Sequence, residues 1–222
     1  MVSYNDKITL INYFRSVAER ELCSIVRSTH DYRKQASKIN TVIKDQKDCT
    51  IDEMLQTARH SRWSNEYVLD CVLHITYASY VVMLEFRNKV WPYEYMAFAR
   101  RIGELWEPFC KETSSYPVKK LRLINPPDFD EVQEDIKRNA SNYINSLSVD
   151  YQTKRLLHYH YSIPWNLVDS GGIQLGLDLH FSQNGINYNC DFKSGFSSNE
   201  KGNTNRLLLV ASIYRFLNQN EK

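Results

Sequence analysis

The stretch Gly172–Lys193, GIQLGLDLHFSQNGINYNCDFK, decides how this chain is read. Leu175, Leu177, Leu179 and Phe181 alternate with Gly176, Asp178, His180 and Ser182. Asn184-Gly185 follows, and both residues tolerate the positive φ that a two-residue type I′ turn demands. Beyond the turn, Ile186, Tyr188, Cys190 and Phe192 alternate with Asn187, Asn189, Asp191 and Lys193. Period-two alternation on both sides of a tight turn predicts a β-hairpin with one apolar and one polar face.

The turn also sets the register. With Asn184 and Gly185 as the loop, Gln183 faces Ile186, Leu179 faces Cys190 and Leu177 faces Phe192. On the polar face Asp178 falls opposite Asp191, with Lys193 one step along. Directly opposed strand residues have Cβ atoms roughly 4.5–5.5 Å apart, and like charges there are destabilising. A bound cation relieves that repulsion, and oxygen-only ligands point to Mg²⁺, with Mn²⁺ as its substitute.

An Asp on one strand and Asp-x-Lys on its partner resembles the core of the PD-(D/E)XK nuclease superfamily, and within it the type II restriction endonucleases. Asp178 matches the first acid, Asp191 the second and Lys193 the lysine, while Leu177 stands where the family pattern usually has Pro. The resemblance implies an α+β fold with an α/β/α nuclease core, in which a central mixed sheet carries the catalytic hairpin. It implies Mg²⁺-dependent hydrolysis of double-stranded DNA at a short specific sequence, leaving 5′-phosphates; the alternatives are a structure-specific repair or recombination nuclease of the same superfamily, or a non-enzymatic DNA- or protein-binding module. Asp178, Asp191 and the backbone carbonyl of Phe192 would be the metal ligands, and Lys193 would position the attacking water. An extra acid on a neighbouring helix, often four residues after a glycine, is also a family feature. Gly103 to Glu107 has that spacing, and Glu104 is the second candidate.

The segment after the lysine lies near DNA in the enzymes this chain resembles. Here it reads Ser194, Ser197, Ser198, Asn199, Lys201, Asn203, Thr204, Asn205 and Arg206, among other residues. Amides and basic groups pair with base edges or phosphates, so this segment is the expected DNA-binding loop. A polar connector would have the same composition. Cutting both strands at a palindrome needs two active sites related by a two-fold axis, so the expected partners are duplex DNA and a second copy of the chain.

Composition bounds the remaining possibilities. With 222 residues and 42% hydrophobic content the chain can bury a core, and 7 Gly and 6 Pro exclude a collagen-like or low-complexity protein. The net charge of +2 permits nucleic-acid binding without demanding it. Five cysteines are scattered and none forms a CxxC pair, which suggests neither a zinc site nor a disulfide framework. No run of about 18 apolar residues occurs, which predicts no membrane span. The opening MVSYNDKITLINYF lacks the charged-then-apolar pattern of a secretory signal. A reduced cytoplasmic protein is the expectation.

One nuclease domain over 1–222 is expected, with a helical portion at 1–115 and a catalytic sheet portion at 116–222. Apolar spacing predicts one or two helices over Ile8–Ile43, then a polar loop at 44–50. Thr50 and Glu53 resemble a capping box that starts the next helix. Asn65–Val90 is crowded with apolar residues and predicts a buried helix, with His74 as a core histidine. A helix over Tyr93–Lys111 carries Phe98, Ile102, Leu105 and Phe109 on one stripe. A short basic strand at Val118–Ile124 and a helix at Phe129–Leu147 follow. Gln152–His160 fits helix or strand equally, and its His158 and His160 lack a third ligand in register. Leu207–Leu217 predicts a closing helix capped by Asn203 or Thr204.

Overall fold

A computed structural model describes residues 3–167, 175–192 and 201–217. The chain divides into two compact units, one of Met1–Leu121 with Phe192–Ser198, the other of Arg122–Asp191 with Asn199–Lys222.

The first unit is built from α1 (Lys7–Ser28), α2 (Tyr32–Ser61), α3 (Asn65–Val90) and α4 (Tyr95–Ser115). Each of the first three helices starts at a side chain that accepts orphan amide protons. Asp6 accepts from Ile8, Asp31 from Arg33 and Lys34, and Ser64 from Tyr67. Leu10 and Phe14 of α1, Ile39, Ile43 and Met54 of α2, and Val72, Ile75 and Phe86 of α3 form a core from which solvent is fully excluded. By length and composition α3 could cross a membrane, yet its apolar face is packed into this core. After α3, the Arg87 guanidinium lies 4.1 Å from the ring centroids of both Trp91 and Tyr93, which fixes the chain reversal into α4.

Two expectations for this region are corrected. The polar run 44–50 is not a loop, and Thr50 does not cap a helix: α2 runs unbroken through both. Thr50 is buried, and its hydroxyl donates to the Gln46 carbonyl at 2.7 Å. Lys47 lies along the same stripe, with its ammonium between Asp48 at 3.2 Å and Glu112 of α4 at 3.9 Å. A carbonyl one turn back in α2 and the Glu112 carboxylate of α4 thus let Thr50 and Lys47 sit within the helix, where the sequence pattern suggests a break.

The second unit contains β1 (Arg122–Leu123), α5 (Phe129–Ser146), α6 (Tyr151–Leu167), β2 (Leu179–Gln183), β3 (Ile186–Cys190) and α7 (Lys201–Leu217). The segment left open between helix and strand is helical. Asp150 starts α6 by accepting from the Thr153 amide and hydroxyl. Phe129 and Val132 of α5, Leu175 ahead of β2, and Val210 and Tyr214 of α7 form this unit's own core, with Leu177 and Trp165 packed against it.

The hairpin has the expected register. Asn184 and Gly185 both take positive φ, 55° and 76°. The antiparallel ladder pairs Leu179 with Cys190, His180 with Asn189, Phe181 with Tyr188 and Gln183 with Ile186. The Phe181 and Tyr188 rings stack across it, with centroids 4.9 Å apart. β1 joins the other edge of β2, with Arg122 opposite Ser182 and Leu123 opposite Phe181.

The α/β/α expectation fails at the sheet. The structure is 74% helix and 6% strand, and its sheet is three short antiparallel strands in the order β1-β2-β3. Among the described residues no parallel strand is present, so there is no central mixed sheet for helices to sandwich. The basic strand expected over 118–124 is paired at only two residues. A hairpin motif specifies its own two strands and says nothing about how many others join them.

Candidate functional site

The strongest candidate site is the open end of the hairpin. Leu179 and Cys190 are the last paired residues, and Asp178 and Asp191 are the next residue on each strand. Asp178 itself lies in a bend rather than in the ladder. Both aspartates are half-buried, and Asp191 Oδ2 is shielded from solvent. The expected pairing of Asp178 with Asp191, and of Leu177 with Phe192, is not formed, because the chain bends at Asp178 and the ladder stops at Leu179 and Cys190.

The bend at Asp178 is held by a residue that sequence reasoning treated as one polar position among several. The Leu177 amide donates to His180 Nε2 at 2.7 Å. His180 Nδ1 in turn donates to Asn189 Oδ1 at 2.6 Å, directly across the ladder. An amide N–H can only donate, so Nε2 must accept and the ring proton resides on Nδ1. The Tyr214 ring of α7 lies over the imidazole, with centroids 5.8 Å apart, and its hydroxyl donates to the Leu175 carbonyl at 3.4 Å. On the β1 side, the Ile124 amide donates to the His180 carbonyl at 3.0 Å.

This arrangement revises the expected division of faces. His180, on the nominally polar side, is the one buried residue of the two hairpin strands at 7% exposure, while Leu179, Phe181, Tyr188 and Cys190 are half-buried. The detectable signal was the register itself, which sets His180 opposite an amide able to satisfy it. The covering by Tyr214 depends on tertiary packing that local spacing does not encode.

The donor set at the hairpin end fits a hard cation. Its acidic residues, Asp178 and Asp191, are oxygen donors, the type such a cation takes. Burial pushes the Cys190 thiol up, so it stays protonated at neutral pH and presents no soft thiolate beside Asp191. Among the described residues no three His, Cys, Asp or Glu side chains converge, so a cation held here would rely on two acidic ligands and smaller donors.

The other expected site residues fall as follows. Lys193, Ser194, Ser197, Ser198 and Asn199 lie outside the described residues. Lys201, Asn203, Thr204, Asn205 and Arg206 do not form a loop: they are the first turns of α7, which begins at Lys201. Neither Asn203 nor Thr204 is therefore its cap. Asn205 is exposed there. Glu104 and Glu107 belong to α4, in the first unit, and each is paired on its own helix. Arg100 and Arg101 donate to Glu104 at 3.1 and 3.0 Å, and Lys111 donates to Glu107 at 2.5 Å. His74 is half-buried, with Nδ1 at 2.9 Å from the Asp70 carbonyl. His158 Nε2 is 3.1 Å from Asn145 Oδ1, and the His160 ring meets that of Tyr159 edge-on.

The first unit holds a second polar cluster that spacing did not reveal. Glu112 is pushed above the usual glutamate range by burial, against the opposing pull of Lys47. Tyr80, beneath the same group, is pushed up to about 12 by burial and by Glu112 and Asp48.

Compared with known proteins, the chain matches no family model, no curated protein and no solved structure.

Proposed function

We propose that the chain is a divalent-cation-dependent endonuclease acting on double-stranded DNA, with Asp178 and Asp191 as the acidic ligands. The reading rests on the hairpin and not on the overall architecture, which lacks the mixed sheet of the enzymes the motif resembles. One observation carries it: the ladder ends at Leu179 and Cys190, and Asp178 and Asp191 are the next residue on each strand. Two acids at neighbouring strand positions disfavour one another, and a divalent cation is the shared ligand this reading assigns to them. Mg²⁺, or Mn²⁺ in its place, supplies Lewis-acid activation of water and neutralises charge on the phosphate.

Within this reading the protein's own groups have separate tasks. Asp178 and Asp191 hold the cation, and the Phe192 carbonyl adds a neutral oxygen. Lys193 orients the attacking water and offsets charge on the phosphoryl oxygens. Lys201, Asn203, Thr204, Asn205 and Arg206, in the first turns of α7, are the groups assigned to DNA in this reading. Cleavage at a short specific sequence with 5′-phosphate ends, by a cytoplasmic homodimer, completes the reading.

The test is incubation of plasmid DNA with the purified chain in Mg²⁺ and, separately, in Ca²⁺, which supports binding but activates water poorly. Discrete fragments in Mg²⁺ and a bound, uncut plasmid in Ca²⁺ are expected. Equal cleavage in the two ions contradicts the mechanism.

A second reading is favoured by one observation in the helical unit. An apolar cavity of about 190 Å³ opens between α3 and α4, lined by Tyr77, Leu84, Ile102, Trp106 and Phe109, among others. In that reading the chain is a binding module and the hairpin is structural. Binding without cleavage in either Mg²⁺ or Mn²⁺ would favour it.

A further inference from the structure

We infer that His180 is a positioning residue for Asp178, setting the bend that aims the first carboxylate into the hairpin mouth. The inference rests on the metal-site reading above. Leu177 lies beyond the ladder, so no strand partner receives its amide. The His180 ring reaches back three residues to accept that amide, the N–H of the residue that precedes Asp178. The ring is held from two other sides: its second nitrogen donates to Asn189 on β3, and the Tyr214 ring of α7 packs at a tilt beside it, with centroids 5.8 Å apart. The His180 backbone is also tied to Ile124, the residue after β1. These contacts hold His180, which in turn holds the amide of the residue before Asp178, without contributing a ligand.

The chemistry of the choice supports this role. A buried strand position that served packing alone would suit an apolar side chain, with no polar atoms to satisfy. Here the buried position carries a ring with one acceptor and one donor, both used, and the acceptor is spent on the amide beside the acid. Groups that orient ligands from behind typically change metal affinity by 10–100-fold when removed.

The experiment is calorimetric titration of the full chain with Mn²⁺ alone, comparing wild type with His180→Leu, His180→Gln and Asp178→Asn. The leucine variant removes the acceptor and is expected to bind Mn²⁺ about tenfold more weakly. The glutamine variant places Oε1 near the position of Nε2 and is expected to stay within about threefold of wild type, a rescue that loss of packing alone would not give. Asp178→Asn is expected to lose binding. Wild-type affinity in His180→Leu beside lost binding in Asp178→Asn overturns the role of His180 and leaves the metal site standing. Equal weakening in the leucine and glutamine variants overturns it too. Absence of Mn²⁺ binding by the wild-type chain overturns both the inference and the reading beneath it. If His180→Leu does not fold, Asn189→Ala carries the test by releasing the ring, and wild-type affinity there contradicts the inference.

Discussion

Leu179 pairs with Cys190 as the last rung of the hairpin, and that single pairing determines which two residues stand at its mouth. A slip of one residue would carry every side chain of a strand to the opposite face and separate Asp178 from Asp191. The register is therefore the structural basis of the proposed site, and the turn that sets it is the first place to perturb.

Gly185 takes φ +76° with open space around the position of a Cβ, so any penalty there is conformational rather than steric. Gly185→Ala is expected to destabilise the hairpin unit by about 1 kcal/mol, because an L-residue resists the left-handed region. Asn184→Gly, at φ 55°, is expected to fold normally. Urea denaturation curves of the two variants check this, and an unchanged midpoint for Gly185→Ala would contradict it.

Phe86 is fully buried at the centre of the helical unit, whereas Tyr95 at the start of α4 is 82% exposed. Phe86→Ala is expected to lose about 3–5 kcal/mol and Tyr95→Ala less than about 0.5 kcal/mol. Comparable losses in the two variants, measured by the same denaturation, would show that the core is misplaced.

Glu112 gives the helical unit a pH dependence of definite sign. Burial holds its carboxyl above the ordinary glutamate range, with Lys47 opposing and Asp48 adding to the rise. The folded chain therefore keeps this proton more tightly than the unfolded chain. The associated stability is present at pH values below the ordinary range and is lost as pH rises through the elevated folded value. Glu112→Gln lacks this term, so it should gain stability relative to wild type between pH 4 and pH 7. Thermal melts at the two pH values provide the check, and a relative gain by wild type would reverse the sign.

What could be read in advance followed the range of the forces involved. The Asn184-Gly185 turn, the ladder register and the bounds of α3 are set by residues close in sequence, and each is found where spacing places it. The continuity of α2 was not legible, because Lys47 and Thr50 read as loop residues until Glu112 and the Gln46 carbonyl are seen to satisfy them. The extent of the sheet failed for a related reason: a hairpin motif is local, whereas the number of strands beside it is not. Lys201 to Arg206 read as a loop because the polar first turns of a helix share a loop's composition. His180 was visible as an alternating residue, but its burial depends on Tyr214, which packs over it from α7.

Cleavage of long duplex DNA by wild type and by Asp191→Ala, in Mg²⁺ and at equal protein concentration, tests the central claim most directly. The account expects discrete fragments from the wild-type chain and intact DNA from a variant that keeps the wild-type helical content. Cleavage by the variant at the wild-type rate, or intact DNA from the wild-type chain in both Mg²⁺ and Mn²⁺, would contradict it.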